Sequence, residues 1–177
     1  SFLAYCLYSS NHKIFFLCRE ENYKACKKNG LTIEINNNNI LKKKIKIKEN
    51  KNFLFVNNIK KIKENFFDYI FITTKINSDL KLIFNKIEPF INNKTSIIPP
   101  CTSIPFWWYR CLDKKKHKFF EKKLDKIFIK NLRRKNIIGM TMWLSGKMKR
   151  PGLVVINHIQ RGYPLKEVNG KMKAKAD

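Results

Sequence analysis

Three short apolar runs constrain this chain more than any other feature. Ile14-Phe15-Phe16-Leu17, the centre of "DYIFITTK" (68–75) and "TSII" (95–98) are continuous rather than alternating, and polar or proline residues close each one. A strand with one wet face alternates; a continuous run fits a strand buried on both faces, as in a parallel sheet covered by helices. Between the second and third runs, "DLKLIFNKIEPFI" sets Leu80, Ile83, Ile87 and Phe90 on one helical stripe, with Ser78 or Asp79 able to cap it. Strand, helix, strand with short links predicts a parallel pair joined by a right-handed crossover. The expected class is α/β.

The remaining elements fit around that unit. Phe2, Leu3, Cys6 and Leu7 fall on one helix face, and Ser9 to His12 form a polar stop. "EENYKACKKNGL" predicts a short helix ended by Asn29-Gly30 in a left-handed cap. Residues 36–65 are low in complexity, yet Ile45 and Ile47 alternate with lysines at the strand period. Phe53-Leu54-Phe55-Val56 is the expected pairing strand, with Glu-Asn-Lys-Asn as the turn. "FFEKKLDKIFIKNL" carries a helical stripe through Phe120, Leu124, Ile127, Phe128 and Leu132. "IIGMTMWLSG" and "GLVVINHI", separated by "KMKRPG", predict an antiparallel strand pair near the C-terminus, and "LKEVNGKMKAKAD" reads as a polar tail.

A chain of 177 residues with 44% apolar and 13% aromatic side chains is about one domain long and can bury a core. Its net charge of +25 raises nucleic acid or an anionic membrane as a partner. The cations are mostly Lys, spread from Lys13 to Lys175 among many Asn and Ile. That is the signature of an AT-rich coding bias on a solvated surface. A nucleic-acid reader concentrates Arg and Lys on one face with aromatics interleaved. The five cysteines (Cys6, Cys18, Cys26, Cys101, Cys111) form no C-x-x-C pair, and His12, His117 and His158 lack ligand spacing. This argues for a reducing cytoplasm, no disulfide framework and no metal. The opening apolar stretch lacks the basic region of a signal peptide, and no run reaches the ~20 apolar residues of a membrane helix. No nucleic acid and no membrane are expected as partners.

In a doubly wound sheet, ligands bind beyond the carboxyl ends of the strands. The first strand delivers Arg19 there, the second Lys75, and the third the loop Pro99-Pro100-Cys101-Thr102-Ser103. Two cations and two hydroxyls on one rim suit a phosphate-bearing ligand. In dinucleotide-binding units, an Asp or Glu after the second strand holds the ribose 2′-hydroxyl, whereas an Arg accommodates a 2′-phosphate. Arg19 also reads as an ordinary surface cation, and Glu20 competes with it for the sugar; Arg19, nearer the apolar run, is the chosen residue. Lys75 gains weight from its place at a crossover in a chain otherwise full of lysines. Thr102 and Ser103 read equally as turn chemistry. Trp107, Trp108 and Tyr109 read as core.

A Rossmann unit opens with a strand, a G-x-G-x-x-G loop and a helix, and the ribose-contacting residue lies about 20 positions beyond the glycines. With Arg19 so close to Ser1, the glycine loop is expected immediately upstream of Ser1, with the chain starting inside the helix the loop opens. The expected fold is therefore a Rossmann-like doubly wound sheet, mostly parallel, lacking its first strand and glycine loop.

"LCRE", "ACKKNGLTI", "FDYIFITTK", "IEPFINNKTSIIPPCTSIPFWW" and "IIGMTMWLSGKMKRPGLVVINHIQRGYPLKE" resemble, in that order, the N-terminal half of the ketopantoate reductase (2-dehydropantoate 2-reductase) family. The resemblance covers nearly the whole chain. It rests most on Asn29-Gly30-Leu31, Lys75, the Ile-Pro-aromatic turn at 104–108, and Pro151-Gly152 before a strand ending in His158. It implies an oxidoreductase passing hydride from NADPH to a small 2-oxo acid, in the route to pantothenate and coenzyme A. Arg19 would grip the adenosine 2′-phosphate, Lys75 would lie at the cofactor and substrate cleft, and Thr102 and Ser103 would complete it, Thr102 towards the substrate. Many members carry Asn-Gly where this chain has Thr102-Ser103, which opens the choice of 2-oxo acid. The resemblance further implies an incomplete NADP-binding domain over 1–165, and 166–177 as the start of a connector to a helical domain. That second domain would hold the catalytic residues, leaving none in this chain and the piece inactive alone. The rivals are a relative acting on another 2-oxo acid, a basic nucleic-acid-binding module, and an inactive piece with exposed sheet edges.

Overall fold

The computed structural model describes residues 2–10, 12–37, 40–74, 80–99, 136–140, 144–159 and 165–167. The chain divides into two compact units, Ser1–Ile62 with Trp143–Arg161, and Lys63–Met142 with Gly162–Asp177.

In the first unit, helix α1 (Phe2–Tyr8) leads to strand β1 (Ile14–Leu17), and helix α2 (Glu20–Asn29) leads to β2 (Leu31–Asn37), β3 (Ile40–Ile47) and β4 (Phe53–Val56). β1 and β4 pair in parallel, Ile14 opposite Phe53 through Leu17 opposite Val56. Phe53, 1% exposed, is the hub of an aromatic cluster. The Tyr8 ring of α1 meets its ring at 5.4 Å edge-on, Phe55 does so at 5.4 Å, and Phe16 stacks on it at 6.3 Å. The burial of β1 is less than the apolar run suggests: its residues are half-buried and Leu17 is 49% exposed. The face expected for α1 is also rotated, since Phe2 and Ala4 are buried while Cys6 is exposed.

The structure corrects the expected hairpin between the lysine-rich strand and Phe53–Val56. β3 pairs antiparallel with β2 instead, Leu31 opposite Ile47 and Ile33 opposite Ile45. The reason is facial matching. "LTIEINN" alternates, so its apolar side aligns with that of β3 while Glu34 meets Lys44 on the wet side, Oε1 to Nζ at 3.5 Å. Phe53–Val56, apolar on both faces, pairs with the equally apolar β1 instead. The turn itself is real: Phe53 N donates to Asn50 O at 3.2 Å, and Asn52 N donates to Asn50 Oδ1 at 2.8 Å.

Strands β8 (Leu144–Arg150) and β9 (Leu153–Ile159), numbered after three strands of the second unit, form the expected antiparallel pair, but of the described residues of "IIGMTMWLSG" only Leu144-Ser145-Gly146 belongs to it, and Ile138–Met140 is a separate strand. Only Pro151 and Gly152 make its turn; "KMKR", expected in the loop, belongs to β8. β9 then runs parallel to β2, giving a four-stranded sheet in the order β3-β2-β9-β8. Gly30 and Gly152 both sit at φ 77, where a side chain is strained. At Gly30 a Cβ would also stand 2.6 Å from Ile47 O; the expected glycine stop after α2 is there, but with ψ 170 it is not the left-handed cap expected.

In the second unit, β5 (Tyr69–Phe71) and β6 (Ser96–Ile98) are parallel and helix α3 (Leu80–Ile87) lies between them in the chain, as predicted. The helix gives way to a 3₁₀ turn at Glu88–Phe90, because Pro89 cannot continue the α ladder. Among its described side chains Phe84 and Ile87 are buried, and the expected stripe missed Phe84. β7 (Ile138–Met140) pairs antiparallel with β10 (Leu165–Glu167), so part of the segment read as a polar tail is a strand. Buried Asn136 donates from Nδ2 to Thr95 O at 2.6 Å and to Asn92 O at 3.1 Å, fixing the entry to β6. The helix expected over residues 119–132 and the Trp107-Trp108-Tyr109 cluster lie outside the described residues.

Because Phe53 joins α1, β1 and β4, Phe53→Ala is expected to cost about 3–5 kcal/mol, whereas Phe53→Leu should cost far less. Urea unfolding of both variants against the parent checks this; equal, small losses would remove Phe53 from its place as hub.

Candidate cofactor-binding edge

The exit from β1 is built by backbone bonds. Cys18 N donates to Val56 O at 2.9 Å, carrying the parallel ladder one residue past Leu17. Arg19 is the first residue free of it, in extended conformation (φ −67, ψ 158) at the N-cap of α2. Its carbonyl accepts from Tyr23 N at 2.9 Å and starts the helix. The guanidinium is exposed and makes no ion pair or hydrogen bond with a described residue. It thus stands beyond the carboxyl end of a parallel strand, beside the positive end of a helix.

The rival carboxylate is engaged. Glu20 accepts from Asn57 Nδ2 at 2.6 Å and pairs with Lys24 one helical turn on, at 3.7 Å. Asn57 in turn accepts from Lys61 Nζ at 3.1 Å. Lys27 and Lys61 lie over the Tyr23 ring at 5.9 and 5.7 Å from its centroid. Sequence reading missed Asn57, which meets Glu20 from the residue directly after β4; nothing in a run of Asn and Lys marks one Asn as special. The outcome is an exposed Arg without a described partner beside a Glu whose two oxygens each have one. Lys75, Thr102 and Ser103 lie outside the described residues.

Cys18, next to Arg19, is no nucleophile. Burial foremost, then the nearby Cys26 and Glu20, push its thiol up to about 12, and its Sγ lies 3.8 Å from Val56 O as a weak donor. Burial also raises Cys6 and Cys26 above the ordinary thiol range, and all three cysteines are free. Among the described residues no group of three His, Cys, Asp or Glu could hold a metal ion, and no helix is long and apolar enough to cross a membrane.

Parallel strand pairs, a helix-linked crossover, an antiparallel pair and a strand-end cation define a Rossmann-like α/β fold. Solved structures agree. A 2-dehydropantoate 2-reductase of Enterococcus faecalis matches with a TM-score of 0.59 and 17% identity over 92% of this chain and 43% of its own. A ketopantoate reductase of Ralstonia solanacearum matches at 0.66 and 14%, over 99% and 51%. D-mandelate dehydrogenase, solved with NADH and anilino(oxo)acetate, matches at 0.61 and 16%, over 98% and 45%. At such identities the likeness speaks to fold, and the chain spans about half the length of these proteins. None of the curated proteins matches the sequence. Residues 1–100 match the family described as ketopantoate reductase PanE/ApbA, and the chain belongs to that family.

A thiol raised from 9.0 to about 12 holds about a thousandfold less thiolate at pH 8. Cys18 should therefore resist iodoacetamide in the folded protein and react on unfolding, as read by mass spectrometry of the alkylated peptide. The sign for stability follows: this contribution is whole below pH 9 and fades as pH rises towards 12. Rapid labelling of folded Cys18 at pH 8 would contradict the assignment.

Proposed function

We propose that this chain is the NADP-binding part of a 2-oxo acid reductase, and that the reaction served is reduction of 2-dehydropantoate to pantoate. The observation that carries the proposal is Arg19: an exposed guanidinium, without a described partner, at the carboxyl end of β1, beside a Glu20 already engaged. Family membership supports the reaction class.

Residues 1–165 would form the cofactor-binding part and 166–177 the path onward. Arg19 would hold the 2′-phosphate in a bidentate pair, and Lys75, Thr102 and Ser103 would line the cleft, Lys75 and Thr102 towards the 2-oxo acid. The nicotinamide, when bound, supplies the hydride; the protein's work is to orient cofactor and substrate and to favour the developing alkoxide. Thr102-Ser103, in place of the Asn-Gly of many relatives, favours a second reading in which a different 2-oxo acid is reduced.

Binding of 2′-AMP against 5′-AMP, measured by calorimetry, tests the assignment with the pocket chemistry isolated. A charge-assisted contact predicts a preference for 2′-AMP of roughly 10- to 150-fold, lost in Arg19→Ala and partly kept in Arg19→Lys. The same variant should erase the preference for NADPH over NADH. An Ala variant that discriminates as the parent does would remove Arg19 from the site.

A further inference from the structure

The wet face of the four-stranded sheet carries a second cationic site, at the far end of α2 from Arg19. Register places four residues in one row across the sheet: Lys46 of β3 opposite Thr32 of β2, Thr32 opposite Leu153 of β9, and Leu153 opposite Arg150 of β8. Paired residues share a face, so the row has a cation at each end and a hydroxyl and an apolar floor between. A cavity of about 350 Å³ lies over it, lined also by Asn29, Gly30 and the Pro151-Gly152 turn and by Lys44 of the next row.

The walls are held in place. Gly152 N donates to Asn22 Oδ1 at 3.0 Å and Gly152 O accepts from Thr32 N at 2.8 Å, so the turn is tied to helix and sheet at once. A Cβ on Gly152 would meet Ala25 Cβ at 3.2 Å, so the turn packs directly on α2. The charge is uncompensated. Lys44, in the next row, is paired with Glu34, whereas Lys46 and Arg150 form no ion pair with a described residue. In the last turn of α2, Lys27 is paired with Glu49, and Lys28 remains to offset the negative half-charge at the carboxyl end.

We infer that this cavity binds the phosphate or pyrophosphate group of a small anionic molecule, with Lys46 and Arg150 as its cationic arms and Thr32 as a hydroxyl donor. Arg supplies a fork that matches phosphate oxygens, and Lys a mobile point charge. A helix of 10 residues spans about 15 Å, so this site is separate from the one at Arg19.

Pyrophosphate binding to the full chain, followed by calorimetry and by amide NMR at matched ionic strength, tests the inference. Saturable shifts of the Gly30 and Gly152 amides are expected, their half-saturation raised at least about tenfold in Lys46→Gln/Arg150→Gln and unchanged in Arg19→Ala, which removes any pyrophosphate bound at the strand end. The two substituted side chains are exposed, and an unaltered urea midpoint shows that the double variant is folded. Three results would overturn the inference: Gly30 and Gly152 shifts retained in the double variant, those shifts lost in Arg19→Ala, or a non-saturating response that sodium chloride reproduces. Binding of long nucleic acid with none of pyrophosphate would also overturn it, in favour of a diffuse polyelectrolyte face.

Discussion

The structure of the first unit depends on the parallel pairing of β2 with β9. Four residue pairs, Thr32 with Leu153 through Ile35 with Ile156, join segments that lie on either side of the second unit in the chain. A two-stranded hairpin alone is marginal in water. Paired, the β2–β3 and β8–β9 hairpins become one sheet with a continuous apolar face, on which Leu31, Ile33, Ile47 and Ile156 are buried. Gly152 is the joint: its amide is held by α2 and its carbonyl by β2.

That joint also governs the edge where Arg19 stands. The aromatic cluster around Phe53 fixes β1 and β4. Glu49 ties α2 to β4, its Oε1 accepting from Phe55 N at 2.8 Å while its other oxygen takes Lys27. Helix α2 is thus anchored along its length, and its N-cap residue leaves the helix in a set direction. A strand-end Arg works as a phosphate ligand only if the strand end is rigid. The surrounding bonds provide that rigidity without consuming the guanidinium.

The parts legible in the sequence were those in which pattern and packing agree. The β5-α3-β6 crossover followed from two continuous apolar runs and an amphipathic helix between them, and the Asn29-Gly30 stop from the one residue that tolerates φ 77. Pairing partners were less legible. Ile45 and Ile47 show that β3 has an apolar side, but only the three-dimensional competition between "LTIEINN" and "FLFV" decides which strand meets it. Likewise Arg19 was visible as a strand-end cation, whereas its freedom depends on Asn57 reaching Glu20 across 37 residues of sequence. Asn136 gave no signal at all, because a buried amide that satisfies two carbonyls looks like any other Asn in an Asn-rich chain.

The divided make-up of the first unit bears on how the protein is born. Leu153 is made 121 residues after Thr32, its partner in the ladder, an interval of roughly 6–24 s at ribosomal speeds of ~5–20 residues/s. Throughout that time β2 has β3 on one edge and nothing on the other, while the second unit emerges. On the nascent chain, the lysines along β3 guard the outer edge by repulsion, since charged edge strands pair poorly with strangers. That guard serves β3 in the nascent and the finished protein alike; the side of β2 that awaits Leu153 has none until β9 arrives.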